Sequence, residues 1–201
     1  MQGLRVFLLS TCYDARLAYL KKFLMAIKPT IYKLRIAISD FNRDYYDSVN
    51  LTVALHPSEN LARMMARIVA YCLNAQDNIT FTKGLSMVEE PDIWVKTLDD
   101  RITLWIDMGE PAPDRIKKSS RLAPEVKVYS FNSKSDTWWE QSKNKVQQFS
   151  NVKFYQFDWQ QTQALAALAE RNMDWSLSIS GDTVYIAAEN QERELVIRAL
   201  T

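Results

Sequence analysis

The chain has 201 residues, 47% of them hydrophobic, enough to bury one sizeable core and little beyond it. Twenty-five lysines and arginines against 24 aspartates and glutamates leave a net charge of +1, which excludes a global electrostatic attraction to nucleic acid or to a membrane, so any such affinity has to be local. No stretch approaches the ~18 apolar residues of a membrane span, and two cysteines as far apart as Cys12 and Cys72 fit a reducing, cytoplasmic setting.

Residues 1–24 read as an N-terminal extension. Val6-Phe-Leu-Leu9 before Ser-Thr-Cys12 has the look of a signal segment, but the apolar run is short and Arg5 is its only basic flank. An amphipathic helix, or residues upstream of a true start at Met25, are the better readings. Residues 25–201 then form a single domain, with no repeat, low-complexity tract or linker to divide them. Alternation of apolar and polar residues predicts strands over Thr30 to Asp40 and Tyr45 to Leu55, a hairpin turning at Asp40-Phe-Asn-Arg-Asp44. A helix is expected to start at His56-Pro57-Ser58-Glu59, with Pro57 at its first position and an apolar stripe of Leu61, Met65, Ile68 and Cys72.

Three short strands follow, Ile79 to Thr82, Asp92 to Lys96 and Arg101 to Asp107, the last two joined by a turn at Leu98-Asp99-Asp100. A helix over about Asp114 to Ala123 and a strand from Val126 to Phe131 complete a core of order α-β-β-β-α-β. Beyond it, helices are expected over Asp136 to Phe149 and Trp159 to Arg171. A hairpin over Ser180-Gly181-Asp182 and an edge strand from Leu195 to Leu200 end the chain. The class is mixed α/β.

Charge is uneven along this core. Residues 89–114 hold eight acids against Lys96 and Arg101, whereas residues 115–153 hold nine lysines or arginines against three acids. Hard oxygen ligands beside cations are what phosphodiester chemistry needs, the former for Mg²⁺ and the latter for phosphate. Asp92 and Asp107 lie at equal distances from the Asp99-Asp100 turn, so a symmetrical pairing brings their backbones together; each is equally explained as turn chemistry. Glu59 falls almost opposite the apolar stripe on a helical wheel and should point away from the core, in an i,i+4 pair with Arg63. His56 reads as a turn residue. Asp114, Lys117, Lys118 and Arg121 share one helix face, which serves either as a solvated surface or as a phosphate contact, and Arg115 lies beside them. The Trp138-Trp139 pair reads as a core anchor rather than a base-stacking platform.

His56-Pro-Ser-Glu-Asn60, Arg63-Met-Met-Ala-Arg67, Phe81-Thr-Lys-Gly84, Glu90-Pro-Asp-Ile-Trp94, Leu104-Trp-Ile-Asp-Met-Gly109, Asp114-Arg-Ile-Lys-Lys118 and Trp138-Trp139 closely resemble the bacterial YaeQ family, from about Met25 to the C-terminus. The resemblance implies a variant of the PD-(D/E)xK restriction-endonuclease-like fold, with Glu59, Asp92 and Asp107 as metal-binding catalytic carboxylates for Mg²⁺ or Mn²⁺. It departs from that pattern at Gly109, where a lysine is expected. Lys117 or Lys118 would have to bring an ammonium into that space, with Arg63, Arg115 and Arg121 contacting phosphate. The implied function is a metal-dependent nuclease acting on nucleic acid. The alternative is a non-catalytic nucleic-acid-binding or regulatory protein on the same scaffold, and fold alone does not choose between them.

Overall fold

The computed structural model describes residues 29–83 and 89–201; the N-terminal extension with Cys12, and Gly84 of the Phe81-Thr-Lys-Gly84 motif, lie outside the described residues. Strands β1 (Thr30–Asp40) and β2 (Tyr45–Leu55) form the hairpin, paired without slippage from Thr30 opposite Leu55 to Asp40 opposite Tyr45. Their alternation buries Tyr32, Leu34, Ile36 and Ile38 together with Leu51 and Val53.

Helix α1 (Leu61–Leu73) starts later than the sequence pattern suggests. Pro57 is not its first residue. His56 to Asn60 form a turn in which the Glu59 N–H donates to His56 O at 2.8 Å, and Asn60 caps the helix by accepting from the Arg63 N–H at 2.8 Å. An asparagine side chain satisfies an orphan helix donor better than anything in the preceding turn does. The helix is buried on nearly all sides, Met64, Met65, Ile68 and Cys72 fully so, and burial pushes the Cys72 thiol up to about 12.

Next come β3 (Ile79–Phe81), β4 (Ile93–Lys96), β5 (Ile102–Met108), helix α2 (Pro113–Leu122), β6 (Glu125–Ser130) and helix α3 (Ser135–Val146). Strand β7 (Val152–Phe157), not anticipated from the sequence, buries Val152, Phe154 and Phe157. Helix α4 (Trp159–Leu165) and a short 3₁₀ turn (Ala166–Leu168) stop well before Arg171. Here tertiary pairing overrides helix propensity, because the Lys33 N–H donates to Arg171 O at 2.9 Å as the chain enters β8 (Asn172–Ser180). Strands β9 (Thr183–Ala188) and β10 (Gln191–Leu200) follow.

The ten strands among the described residues form one sheet of order β2-β1-β8-β9-β10-β7-β6-β5-β4-β3. Far from being an edge, β10 sits inside it: Gln191 to Val196 pair with β9 and Ile197 to Leu200 with β7, so this strand joins the two halves. The edges are β2 and β3. Strands β5, β6 and β7 are parallel and covered on both faces. Leu104, Ile106, Met108, Tyr129 and Phe157 join the core around α1, while Trp105, Val126, Val128 and Phe154 pack with Ile116 of α2 and Trp139 of α3. Double burial accounts for the near-continuous apolar runs of β5 and β6, and one-sided burial for the clean alternation of β1 and β8. The result is a mixed α+β fold with a ten-stranded sheet and, among the described residues, four α-helices. No helix among those residues is long and apolar enough to cross a membrane.

Leu195, fully buried in the part of β10 that pairs with β9, packs into the core around α1. Leu195→Ala is expected to cost about 2–5 kcal/mol in chemical denaturation. Its exposed neighbour Val196→Ala should stay within about 0.5 kcal/mol.

Candidate functional site

The pairing of β4 with β5 sets Ile93 opposite Ile106, Trp94 opposite Trp105 and Val95 opposite Leu104, the symmetrical register, with an irregularity confined to Val95 and Lys96 near the turn. One step beyond this ladder stand Asp92 and Asp107. The Asp92 N–H donates to Ile106 O at 2.9 Å, and its carboxylate Oδ2 accepts from the Met108 N–H at 2.8 Å. Both side chains are buried, at 7% and 3% exposure.

Glu59 is buried as well, 7% exposed, and does not point away from the core. It precedes the N-cap, so the helical wheel does not apply to it. Its Oε1 accepts from Arg63 Nη1 at 2.9 Å and from Arg67 Nε at 3.1 Å, and its Oε2 from Arg67 Nη2 at 2.8 Å. The other end of Arg63 donates from Nη2 to Asp92 Oδ1 at 2.6 Å. The outcome is an ionic ladder, Arg67–Glu59–Arg63–Asp92, running from α1 to the start of β4. Arg67, 4% exposed, also donates to Ala54 O of β2 at 3.2 Å and lies 5.3 Å from the Phe81 ring centroid. The Glu59–Arg63 i,i+4 pair foreseen from sequence is one rung. The pairs Arg67–Glu59 and Arg63–Asp92 were missed, although an arginine amid the otherwise apolar run from Met64 to Ala70 is a legible sign of a buried partner.

Asp107 has its own cation. Arg115 grips it bidentately, Nη2 to Oδ1 at 2.7 Å and Nε to Oδ2 at 3.1 Å, and also donates to Glu90 O at 2.8 Å. Burial nevertheless pushes the Asp107 carboxyl above its ordinary value, against the pull of Arg115, and the charge of Asp92 adds to the rise. The buried Trp105 indole N–H faces the same carboxylate from outside hydrogen-bonding geometry, so its help is electrostatic only. The cation brought to Asp107 is thus Arg115 and not Lys117 or Lys118. Both lysines are exposed on α2 with Asp114 and Arg121, and Lys118 pairs with Glu89. Gly109, two residues after Asp107, has φ +98, a conformation that disfavours any L side chain, so the backbone itself resists a lysine there.

His56 is a turn residue, its Nδ1 2.6 Å from Ser58 Oγ. Trp139 is buried and Trp138 half-buried against it, donating from its indole to Pro111 O at 3.0 Å. Among the described residues no three His, Cys, Asp or Glu side chains are grouped to hold a metal ion. As held, the Glu59, Asp92 and Asp107 oxygens already accept from arginines or backbone, and that donor set does not fit a divalent ion.

A family model described as YaeQ protein matches residues 25–197. The chain belongs to the YaeQ family. It is 34% identical over 176 residues to the YaeQ proteins of Escherichia coli (strain K12) and Shigella flexneri, both described as uncharacterized, covering 87% of this chain and 97% of each relative. Two crystal structures of YaeQ proteins share the fold. The one from Xanthomonas axonopodis pv. citri has a TM-score of 0.83 at 33% identity, covering 85% of this chain and 97% of that one. The one from Pseudomonas syringae has a TM-score of 0.82 at 32% identity, covering 86% and 96%.

Removing one partner of a buried ion pair leaves an unanswered charge. Arg67→Met in this YaeQ protein should therefore destabilise it by about 3–5 kcal/mol in denaturant titrations. Adding Glu59→Gln to that variant should return about 1 kcal/mol or more, measured as a double-mutant coupling.

Asp107 gives a pH test. Its folded-state pKa is raised, so ionising it opposes folding; the penalty is absent at acid pH, where both states are protonated, and develops as pH rises past the ordinary carboxylate range. The stability of the wild type relative to Asp107→Asn should then fall between about pH 3 and pH 7 in parallel unfolding curves. A rise over that window would mean that Arg115 outweighs burial.

Proposed function

We propose that this protein has a nuclease-like scaffold of the PD-(D/E)xK kind and binds nucleic acid without cutting it. The chain order α1-β3-β4-β5-α2-β6, with Asp92 and Asp107 at adjoining strand ends, supports the scaffold assignment. The observation that carries the non-catalytic reading is the arginine closure of the site. All three carboxylates are engaged by Arg63, Arg67 and Arg115, whose positive charge repels a divalent ion from the oxygens it would need. The backbone at Gly109 adds to it, because a water-orienting lysine has no unstrained place there. Lys117, Lys118 and Arg121, exposed along α2, supply the phosphate contacts in this reading. Affinity should be modest and strongly salt-dependent, given the net charge of +1.

One observation favours the rival, a Mg²⁺- or Mn²⁺-dependent nuclease using Glu59, Asp92 and Asp107. Asp92 and Asp107 are close enough for one charge to raise the other's pKa, a repulsion that a bound cation relieves. That reading requires Arg63 and Arg115 to swing aside.

The two separate in one set of measurements. In thermal unfolding with Mg²⁺ or Mn²⁺, the non-catalytic reading expects no metal-linked shift in melting temperature, and no cleavage of single-stranded DNA, duplex DNA or RNA. Binding of the same nucleic acids should weaken with salt, and Lys117→Ala with Arg121→Ala should reduce the slope of log affinity against log salt by about 1–2. A metal-linked shift that Asp107→Asn abolishes, accompanied by cleavage that Asp107→Ala also abolishes, would overturn it in favour of the nuclease.

A further inference from the structure

At the other end of α1 the sheet leaves a second polar site, remote from the carboxylates. The helix is 13 residues long, so the two ends are about 20 Å apart. A cleft of about 300 Å³ opens there between the β1–β2 and β8–β9 turns on one side and β6, β7 and β10 on the other. Its inner wall carries Lys127 and Tyr129 of β6 and Tyr155 of β7.

The groups of that wall are donors held in place. Asn74, 2% exposed at the C-cap of α1, donates from Nδ2 to Ala70 O at 2.7 Å and to the Tyr129 hydroxyl at 2.9 Å, while its Oδ1 accepts from Lys127 Nζ at 2.7 Å. Both N–H donors of Asn74 are thereby used and its orientation is fixed. The Tyr129 hydroxyl accepts from Asn74, which leaves its proton to donate, and the Tyr155 hydroxyl has no hydrogen-bond partner among the described residues. The two rings stack at 5.0 Å. Burial pushes both phenols up, so both keep their protons at neutral pH. Lys127 is held low by desolvation, a cost that a nearby negative charge offsets.

Of the two carboxylates lining the opposite wall, the buried one is committed to the protein and the other stands at the rim. The buried Asp40 carboxylate is spent on the Asn42 and Arg43 N–H groups and on Arg43 Nε, and Arg43 in turn donates to Ala75 O at 3.0 Å beyond the end of α1. Glu125, 3.5 Å from Lys127, is shared with Lys153 at 3.2 Å, so that trio keeps one net positive charge. Asp182 stands exposed at the lip, where it disfavours a polyanion. Leu73, Ile179 and Ile197 line the remainder with apolar surface.

We propose that this cleft binds a small organic anion, with a carboxylate or phosphate head on Lys127, Tyr129 and Tyr155 and an apolar body against Leu73, Ile179 and Ile197. The site is independent of the nucleic-acid reading. It belongs to the ligand-site class in which a mostly apolar pocket is oriented by a few convergent polar groups.

Benzoate and phenyl phosphate test the two heads, with benzyl alcohol as the neutral control, by amide NMR titration of the full chain. At least one anion should bind saturably below about 10 mM, shifting the signals of Lys127, Tyr129 and Tyr155, and the alcohol should bind at least about tenfold more weakly. Lys127→Met and Tyr129→Phe, the latter keeping the stacked ring, should each weaken the anion about tenfold or more. Failure of both anions to saturate, equal binding of the alcohol, or undiminished binding in both variants would overturn the proposal.

Discussion

A carboxylate on a side chain only 2% exposed has to be answered by cations, and the burial of Glu59 organises much of what surrounds it. Arg63 and Arg67 face it from successive turns of α1, which requires the helix to begin at Asn60 and to run under the residue that precedes it. Arg67 then reaches Ala54 O at the end of β2, and Arg63 reaches Asp92 at the start of β4. Asp92 in turn takes the Met108 N–H at the end of β5. Three strands from the two halves of the sheet are thereby referred to one helix terminus. A buried network of this kind is weak grounds for net stability, since apolar replacements are often neutral, but breaking one member is costly, and that asymmetry fixes the geometry.

Elements whose burial follows a single local period were legible in the sequence. Strands β1 and β2 alternate because one face is wet, and their limits agree with the pattern to the residue. Equal flanking lengths about a tight turn made a symmetrical β4–β5 pairing the natural expectation while leaving its register open, and the structure shows that pairing up to an irregularity at Val95 and Lys96. What escaped depended on partners remote in sequence. Strand β7 mixes Val152 and Phe154 on the outer face with Tyr155 and Phe157 on the inner, so its run shows no clean alternation between wet and dry faces. Strand β10 looked like an edge because its exposed residues are many, yet both of its sides are paired. At the site, the positions of Asp92 and Asp107 followed from the hairpin, whereas the burial of Glu59 did not, because it lies outside the helix whose period was applied to it. Lys127 was also readable in retrospect: a lysine between Val126 and Val128 in a parallel strand has to find a polar pocket.

Electrostatics separates the readings of the carboxylates more sharply than fold does. A divalent cation and an arginine compete for the same oxygens, and the arginine comes with directional donors and a tether. Glu59 and Asp107 each present two oxygens to guanidinium forks, the arrangement in which Arg is strongest. Asp107 remains above its ordinary pKa even so, which marks how dry its surroundings are. A backbone of φ +98 at Gly109 excludes an unstrained lysine at the position two residues on. Closure by arginine and absence of the lysine therefore have different origins, one in side-chain pairing and the other in the turn that carries β5 into α2, and they point the same way.

Helix α1 ends in two chemically different environments, and the difference follows from what each terminus demands. Its start has Glu59 and Asp92 nearby, acidic groups that suit the positive end of the helix dipole and are closed by arginines. Its end presents carbonyls, and Arg43 answers one at Cys72 O, at 3.5 Å, and takes Ala75 O just beyond the helix as a second acceptor, while Asn74 turns its amide inward. Arg43 lines the cleft but commits its donors to the helix end and to Asp40, and Lys127 with the two tyrosine hydroxyls is left as the donor set for a ligand. The first terminus has used its charge on the protein itself. The second has kept donors in reserve, which is why the cleft at the C-terminal end of α1, rather than the carboxylate cluster, is the place in this fold prepared for a small ligand.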